Sequence, residues 1–253
     1  MKFRFLIGMC ALALAASATD ALTDSATYGW MKVTSNQKFT IVAVPWLGVD
    51  GENVKVADLV KTDGLTPGSD MLFVYNKSNN TYSGWSLGAS GWEPLSTSTS
   101  VGGITVGVPA AGASLPQGSA LWLYRPNASG SFSFYVYGRD GTAGNPTLAT
   151  GYNMLACPST TAETWDLNGT GNITGASTDD MIRVPQDSGA DKVYTFKDGS
   201  WGTTTYEEQN YTDRRGNPQV KLIQTRTTTG CTIPAGTGFW YVKAAESSAT
   251  IAW

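Results

Sequence analysis

Short runs of apolar, β-branched and aromatic residues recur along the chain, and each run ends at Gly, Asn, Asp or Pro. This pattern predicts strands rather than helices, because strands are short, favour these side chains and end at turn-forming residues. Tight turns are predicted at 76–79 and 197–199, and a longer hairpin is predicted to pair 206–211 with 220–227. Two segments, 54–60 and 163–167, are candidates for a short helical turn. The clearest predicted strands span 71–75, 120–124, 132–137, 192–196 and 238–242.

A series of motifs occurs twice in the same order, which predicts a duplicated module. We therefore predict an all-β protein of two tandem copies, 28–138 and 151–253, each a small antiparallel β-sandwich or barrel-like module. The sequence leaves the choice between sandwich and barrel open. Tyr82 to Trp85 has a looser counterpart in Tyr194 to Trp201. In one-letter code, FTIVAVP at 39–45 returns as YNMLACP at 152–158, SDMLFV at 69–74 as DDMIRV at 179–184, and LPQGSALWLY at 115–124 as IPAGTGFWYV at 233–242.

Residues 1–18 have the composition of a secretory signal peptide. Lys2 and Arg4 form a basic start, an apolar run follows, and Ala16 and Ala18 supply the small residues that signal peptidase requires. The run is too short to favour a transmembrane helix, and the mature chain has no second run of that kind. We therefore expect a secreted or cell-surface protein without a transmembrane segment, and a periplasmic location stays open.

The composition removes several classes of function. The chain contains no His, which excludes a Ser-His-Asp or Cys-His catalytic arrangement and a His-based metal site. A net charge of −3 gives no basic surface for nucleic acid. We predict no catalytic residue, no metal site and no cofactor. A glycoside hydrolase stays an alternative, because it needs only two carboxyl groups. The candidates in the second copy are Glu163, Asp166, Asp179, Asp180, Glu207 and Glu208.

Cys157 and Cys231 are the two cysteines that follow the predicted signal peptide. Export permits a disulfide, and an even number of cysteines suits one. We therefore predict a Cys157–Cys231 disulfide within the second module, with two buried thiols as the alternative.

Tryptophan is the candidate ligand-binding residue type. Trp122 of the first copy and Trp240 of the second copy stand at matching positions, so we interpret them as core aromatics of the shared fold. Trp46, Trp92 and Trp30 occur in the first copy alone, and we predict that they contact a ligand. Exposed aromatic faces stack on sugar rings or anchor a protein partner. The alternative is that these three residues pack beneath loops.

Two motifs of the second copy resemble those of a group of exported β-modules of Gram-negative bacteria, most of them uncharacterised. The opening motif is Tyr152-Asn153 to Pro158, and the closing motif is Ile233-Pro234 to Trp240. The first copy departs from the pattern, since it has Thr40 in place of the Asn and Ala120-Leu121 in place of Gly-Phe. The resemblance implies an exported β-domain, often an accessory to larger surface proteins, and it implies no reaction and no ligand.

These features together favour a non-catalytic, exported module that binds a glycan or a surface protein. A structural component of the cell envelope or matrix is the alternative.

Overall fold

The computed structural model describes residues 28–35, 38–60, 64–128, 132–139, 141, 144–157, 164–169, 173–186, 190–234 and 236–252. Within these ranges the chain is almost entirely β-strand, which confirms the all-β prediction, and its single helix is the four-residue α1 (Val56–Leu59). The strands of the first half are β1 (Tyr28–Ser35), β2 (Phe39–Ala43), β3 (Val54–Lys55), β4 (Met71–Asn76), β5 (Thr81–Leu87), β6 (Trp92–Pro94), β7 (Thr99–Val101), β8 (Ile104–Gly107), β9 (Ser114–Leu115), β10 (Ala120–Tyr124) and β11 (Phe132–Arg139). Those of the second half are β12 (Thr147–Leu148), β13 (Gly151–Ala156), β14 (Thr164–Asp166), β15 (Ile173–Thr174), β16 (Met181–Val184), β17 (Lys192–Lys197), β18 (Ser200–Thr212), β19 (Pro218–Thr227), β20 (Thr232–Pro234), β21 (Gly238–Lys243) and β22 (Ala249–Ile251).

Two large sheets organise the strands. The first large sheet has the order β2-β10-β4-β5-β8-β7, with β6 also paired to β5. The second large sheet has the order β13-β21-β16-β17-β18-β19. All pairs are antiparallel except β5 with β8. Among the described residues no sheet closes on itself, so the predicted barrel-like alternative is not observed.

Each large sheet covers its own apolar core with one face. Residues alternate between the two faces of a strand, so Leu121 and Leu123 of β10 are buried in the first core. Phe239 and Tyr241 of β21 are buried in the second core in the same way. The outer faces of β10 and β21 therefore carry Trp122 and Trp240, which lie between these buried residues in sequence.

A buried aspartate stands at the start of one central strand in each large sheet. Asp70 Oδ2 accepts a hydrogen bond from Thr66 N at 2.9 Å, and Asp180 Oδ2 accepts one from Ser177 N at 2.9 Å. These contacts agree with an acid that binds backbone N–H groups at a strand entry.

The predicted strands are confirmed with shifts of one or two residues at their ends, because their apolar residues face a covered core. The helical turn predicted within 54–60 is α1. The prediction for 163–167 is wrong over its described part, since Trp165 lies in strand β14 opposite Ile233 and is buried. The packing of Trp165 outweighs the local helical tendency.

The predicted signal peptide, residues 1–18, lies outside the described residues. No helix within the described ranges has the length and apolar character needed to cross a membrane.

Candidate ligand-binding cleft

Trp46 and Trp92 do not present exposed faces, contrary to the expectation for ligand contacts. Trp46 is 6% exposed and Trp92 is 7% exposed, and both belong to the first apolar core. Trp92 Nε1 donates a hydrogen bond to Val60 O at 2.7 Å, which satisfies the one polar atom of the buried ring. Trp30 lies in β1 opposite Tyr137. Its side chain lies outside the described part of the structure, so its predicted role stays a prediction.

The strand register explains why Trp92 looked unique to the first half. Trp92 lies opposite Leu87 in the first large sheet, and Trp201 lies opposite Phe196 in the second. Trp92 therefore corresponds in position to Trp201, whereas the sequence comparison had matched Trp201 to Trp85. Each tryptophan stands five positions after its cross-strand partner, so the two hairpins match in length.

Trp122 and Trp240 lie between the two large sheets instead of in either core, which corrects their interpretation as core aromatics. Both are partly exposed. Their ring centroids are 6.5 Å apart with an interplanar angle of 43°. One tryptophan from each half of the chain therefore contributes to a shared aromatic surface.

Small residues bring the two sheets into contact beside these tryptophans. Ala43, Ala120 and Ala156 form a buried cluster that joins β2 and β10 to β13. Ala156 N donates a hydrogen bond to Gly118 O at 2.7 Å, which ties the backbones together. Gly238 completes the contact, because any larger residue there would meet a side chain of β2. The outer faces meet at these small residues and separate towards the tryptophans.

Further aromatic rings hold Trp240 in place. Tyr75 of the first large sheet packs edge-on against Trp240 at 5.3 Å, and Tyr152 packs edge-on against it at 5.8 Å. Phe39 packs edge-on against Trp122 at 6.0 Å. Edge-to-face pairs of this kind stabilise by roughly 0.5–1.5 kcal/mol beyond burial. Tyr152 remains 50% exposed and forms part of an open wall.

A cleft of about 260 Å³ opens where the two outer faces separate. Arg183 lies directly opposite Trp240 on the adjacent strand, so both side chains are on the same face of the sheet. Arg183 Nη2 lies 3.1 Å from Asp191 Oδ2, and the two side chains are 44% and 34% exposed. The cleft is lined by Phe39, Trp122, Tyr152, Arg183, Pro185, Gln186, Asp191 and Trp240.

Burial shifts the pKa of two groups beside the aromatic rings, Tyr75 and Lys77. Burial, with a contribution from Tyr152, raises the pKa of Tyr75, so its hydroxyl stays neutral at physiological pH. Lys77 Nζ donates a hydrogen bond to Asn153 Oδ1, which links the turn after β4 to β13. Partial burial lowers the pKa of Lys77.

The acids considered for a hydrolase do not converge on the cleft. Asp180 is fully buried and lies 3.0 Å from Lys243 Nζ, also fully buried. Glu207 and Glu208 lie on the exposed part of β18. Glu163 lies outside the described residues. Of the acids in the described part of the chain, Asp191 alone lines the cleft. In that part, no three His, Cys, Asp or Glu side chains lie together as a metal site would require.

The predicted disulfide is not formed, and the alternative of two buried thiols is what the structure shows. Cys157 and Cys231 both belong to the second core. The Cys231 thiol donates to Trp201 O at 3.5 Å, so its polar atom has a backbone partner. Burial raises the pKa of Cys157 to about 12 and also raises that of Cys231. Both side chains therefore behave as small apolar core residues.

Comparisons with protein-family models, with curated proteins and with solved structures found no match. The fold and the cleft define the class on their own. The chain is an all-β protein in which two mainly antiparallel sheets place an aromatic cleft with a charged rim between them.

Proposed function

We propose that this protein is an exported, non-catalytic glycan-binding protein of two tandem β-modules, and that the cleft between Trp122 and Trp240 holds the sugar. The observation that carries the proposal is the pairing of these two partly exposed rings with Arg183 and Asp191 at the rim. The Trp122–Trp240 pair takes the place of Trp46 and Trp92 as the proposed contact residues, because Trp46 and Trp92 are buried.

The chemistry of the cleft suits a sugar ring. The C–H faces of a pyranose are apolar and stack on aromatic rings, while its hydroxyls need hydrogen-bond donors and acceptors at the edge. A ligand site typically combines an apolar lining with a few placed polar groups. The volume of about 260 Å³ lies below the roughly 300–1,000 Å³ of pockets for drug-sized ligands, so it suits a single ring.

Two features support the tandem-copy part of the proposal. Four strands of each large sheet follow the same order, β2-β10-β4-β5 and β13-β21-β16-β17. In both sets the strand that comes first in the sequence pairs with the last one, which pairs with the second, which pairs with the third. Each sheet also places a buried aspartate beside a cation at the end of a neighbouring strand, Arg125 after β10 and Lys243 at the end of β21. Asp70 lies 3.6 Å from Arg125, and Asp180 lies 3.0 Å from Lys243. A module that cannot cover its outer face alone gains from a second copy against that face.

Export and the absence of catalysis are supported by the sequence. Residues 1–18 have signal-peptide composition, and the chain contains no His. One acid at the cleft rim falls short of the two that glycoside hydrolysis requires.

A glycan array tests the proposal with residues 19–253. We expect a reproducible hit whose binding falls more than about tenfold in Trp240→Ala and in Trp122→Ala, because truncation of a central aromatic contact typically costs about 2 kcal/mol or more. Tyr135→Ala is the matched control, since Tyr135 is an exposed aromatic residue of β11 that does not line the cleft. Wild-type binding that survives both tryptophan substitutions, or a blank array from a folded protein, would contradict the proposal.

The long hairpin of β18 and β19 favours self-association as a second function. Ten residue pairs join Thr203–Thr212 to Pro218–Thr227, a ribbon about 30 Å long. Its residues from Thr205 to Thr212 and from Pro218 to Thr225 are all exposed. A two-stranded ribbon with both faces in water is marginally stable, so a partner for it is expected.

A second copy of the chain fits the outer edge of β19, which has no strand partner in the described residues. A two-fold pairing of β19 with itself can centre on Leu222, so that Leu222 faces Leu222 of the second copy. Lys221 then faces Ile223, and no two like charges lie directly opposite. The exposed side chains of Tyr206, Val220 and Leu222 from both copies then share one sheet face, since all three residues are on the same face of the hairpin.

Light scattering on purified protein tests this pairing. Leu222→Lys places two lysines directly opposite each other and should abolish the dimer, because like charges opposed across strands are destabilising. Thr225→Lys is the control and should leave the dimer intact. This residue is on the same strand, but in the proposed pairing it lies opposite Gln219 of the second copy. An equal mixture of Leu222→Lys and Leu222→Glu chains should restore it. A wild type that stays monomeric at high concentration contradicts the pairing.

A further inference from the structure

We infer that the cleft selects an uncharged sugar that presents neighbouring hydroxyls, and that the Arg183–Asp191 pair is the specificity-determining element. This inference rests on the proposed glycan-binding function and names the class of sugar that the same site takes. It follows from the charge balance at the rim and from the position of that rim beside Trp240.

The charges in the cleft cancel. Arg183 contributes one positive charge and Asp191 one negative charge, and they lie 3.1 Å apart. The other six lining residues are aromatic, proline or glutamine and carry no charge. A carboxylate on the ligand would gain from Arg183 and be repelled by Asp191, and an amine would meet the reverse. Neither charged group therefore gains a net attraction, and each would lose part of its hydration in the cleft without compensation, so an uncharged sugar is preferred.

The same pair offers donors and acceptors side by side. A guanidinium carries five N–H donors and a carboxylate has about four acceptor positions, so one mutual contact leaves capacity on both groups. A sugar hydroxyl both donates and accepts. Two neighbouring hydroxyls can therefore accept from Arg183 and donate to Asp191 without breaking the pair.

The position of the pair is set by the sheet. Arg183 lies in β16 directly opposite Trp240 in β21, and Asp191 precedes β17, the next strand. A ring stacked on Trp240 therefore has its edge towards Arg183 and Asp191. Both side chains are about half or one-third exposed, so a ligand reaches them without a rearrangement of the core.

The Trp240 contact and the charged pair have separate roles. Trp240 provides affinity for the ring regardless of charge. Arg183 and Asp191 decide which substituents at the ring edge are tolerated. Substitution of one charged residue should therefore change the preference among sugars more than it changes the overall binding of the preferred class.

The test measures binding of three probe series by residues 19–253. The series are oligosaccharides ending in a neutral hexose, the same chains ending in a hexuronic acid, and the same chains ending in an amino sugar with a free amine. We expect the wild type to prefer the neutral end over both charged ends by roughly two- to fivefold, the size of a half-exposed charge contact.

Three variants test the inference, because the two single substitutions should shift the charge preference in opposite directions. Asp191→Asn leaves Arg183 uncompensated and should shift the preference to the uronic acid. Arg183→Gln leaves Asp191 uncompensated and should shift it to the amine. The double variant Arg183→Gln/Asp191→Asn is the neutral control and should show no preference between the uronic acid and the amine.

The outcomes separate this inference from the proposed function. Binding that depends on Trp240 but ignores the terminal charge, or single variants that leave the preference unchanged, overturns the inference alone. A wild type that binds none of the three series overturns the proposed glycan function and the inference together.

Discussion

Gly238 of β21 lies directly against Ile41 of β2, so close that an added Cβ would collide with Ile41 Cγ2. These residues belong to different halves of the chain and hold the outer faces of the two large sheets together. The backbone at Gly238 is not in the left-handed region that requires glycine. The glycine is needed at this position for the close approach alone.

Gly238→Ala should therefore destabilise the protein by about 1–3 kcal/mol, the usual cost of overpacking. Ile41→Ala removes the colliding atom, so the double variant should be more stable than the sum of the single effects predicts. Ile41→Val keeps Cγ2 and serves as the control that gives no rescue. Urea unfolding of all variants measures this coupling. Equal rescue by alanine and valine would show that the collision is not the cause.

Replacement by phenylalanine should reduce the free energy of unfolding more at Trp92 than at Trp122. Trp92→Phe leaves the buried Val60 carbonyl without its donor and reduces the volume of the core, so we expect a loss of about 1–3 kcal/mol in the free energy of unfolding. Trp122→Phe should cost less than about 1 kcal/mol, because the ring is partly exposed at the cleft. Denaturant unfolding compares the two. A neutral Trp92→Phe would contradict the packing described for this residue.

The sequence predicted the strands better than it predicted the site. The run from Ala120 to Tyr124 is bounded as predicted, because local composition and the preceding Pro-x-Gly turn determine where such a strand begins. The two-residue period of this strand also places Trp122 on the face opposite Leu121 and Leu123. The period does not show what covers that face, and here it is a second sheet that leaves a cleft.

The rest of the cleft depends on tertiary contacts. Phe39, Trp122, Tyr152, Arg183 and Trp240 are far apart in sequence, and no spacing rule connects them. The recurrence of Trp122 and Trp240 was the signal that could have found the site. It indicated a shared structural role, whereas the two tryptophans meet each other at the junction of the sheets.

Cys157 and Cys231 should be unreactive in the folded protein. The thiolate is the reactive form, and burial raises the pKa of Cys157 to about 12. A thiol reagent should label neither residue in native buffer and both in denaturant, and reductant should leave the melting temperature unchanged. Intact-mass spectrometry with and without reductant provides the check. A melting temperature that falls on reduction would show that the protein forms the disulfide.

The buried Asp180–Lys243 pair should dominate the acid stability of the second core. Burial alone raises the pKa of Asp180, but hydrogen bonds from Ser177 N, Ala244 N, Tyr241 Oη and Lys243 Nζ together hold it below its ordinary value of 3.8. The stabilisation from this carboxylate is therefore present above its unfolded pKa and is lost as the pH falls through the lower folded value.

Lys243→Met should cost about 3–5 kcal/mol at neutral pH, because it leaves a buried charge without its partner. The double variant Asp180→Asn/Lys243→Met should be less destabilised than the sum of the two single variants. Arg183→Met is the matched control, since Arg183 pairs with Asp191 at the surface and its loss should cost less than about 1 kcal/mol. Chemical unfolding from neutral pH down to about pH 2 measures the acid dependence. The wild type should lose stability more steeply below the ordinary pKa of Asp180 than Asp180→Asn does, and parallel profiles would contradict the assigned role of the carboxylate.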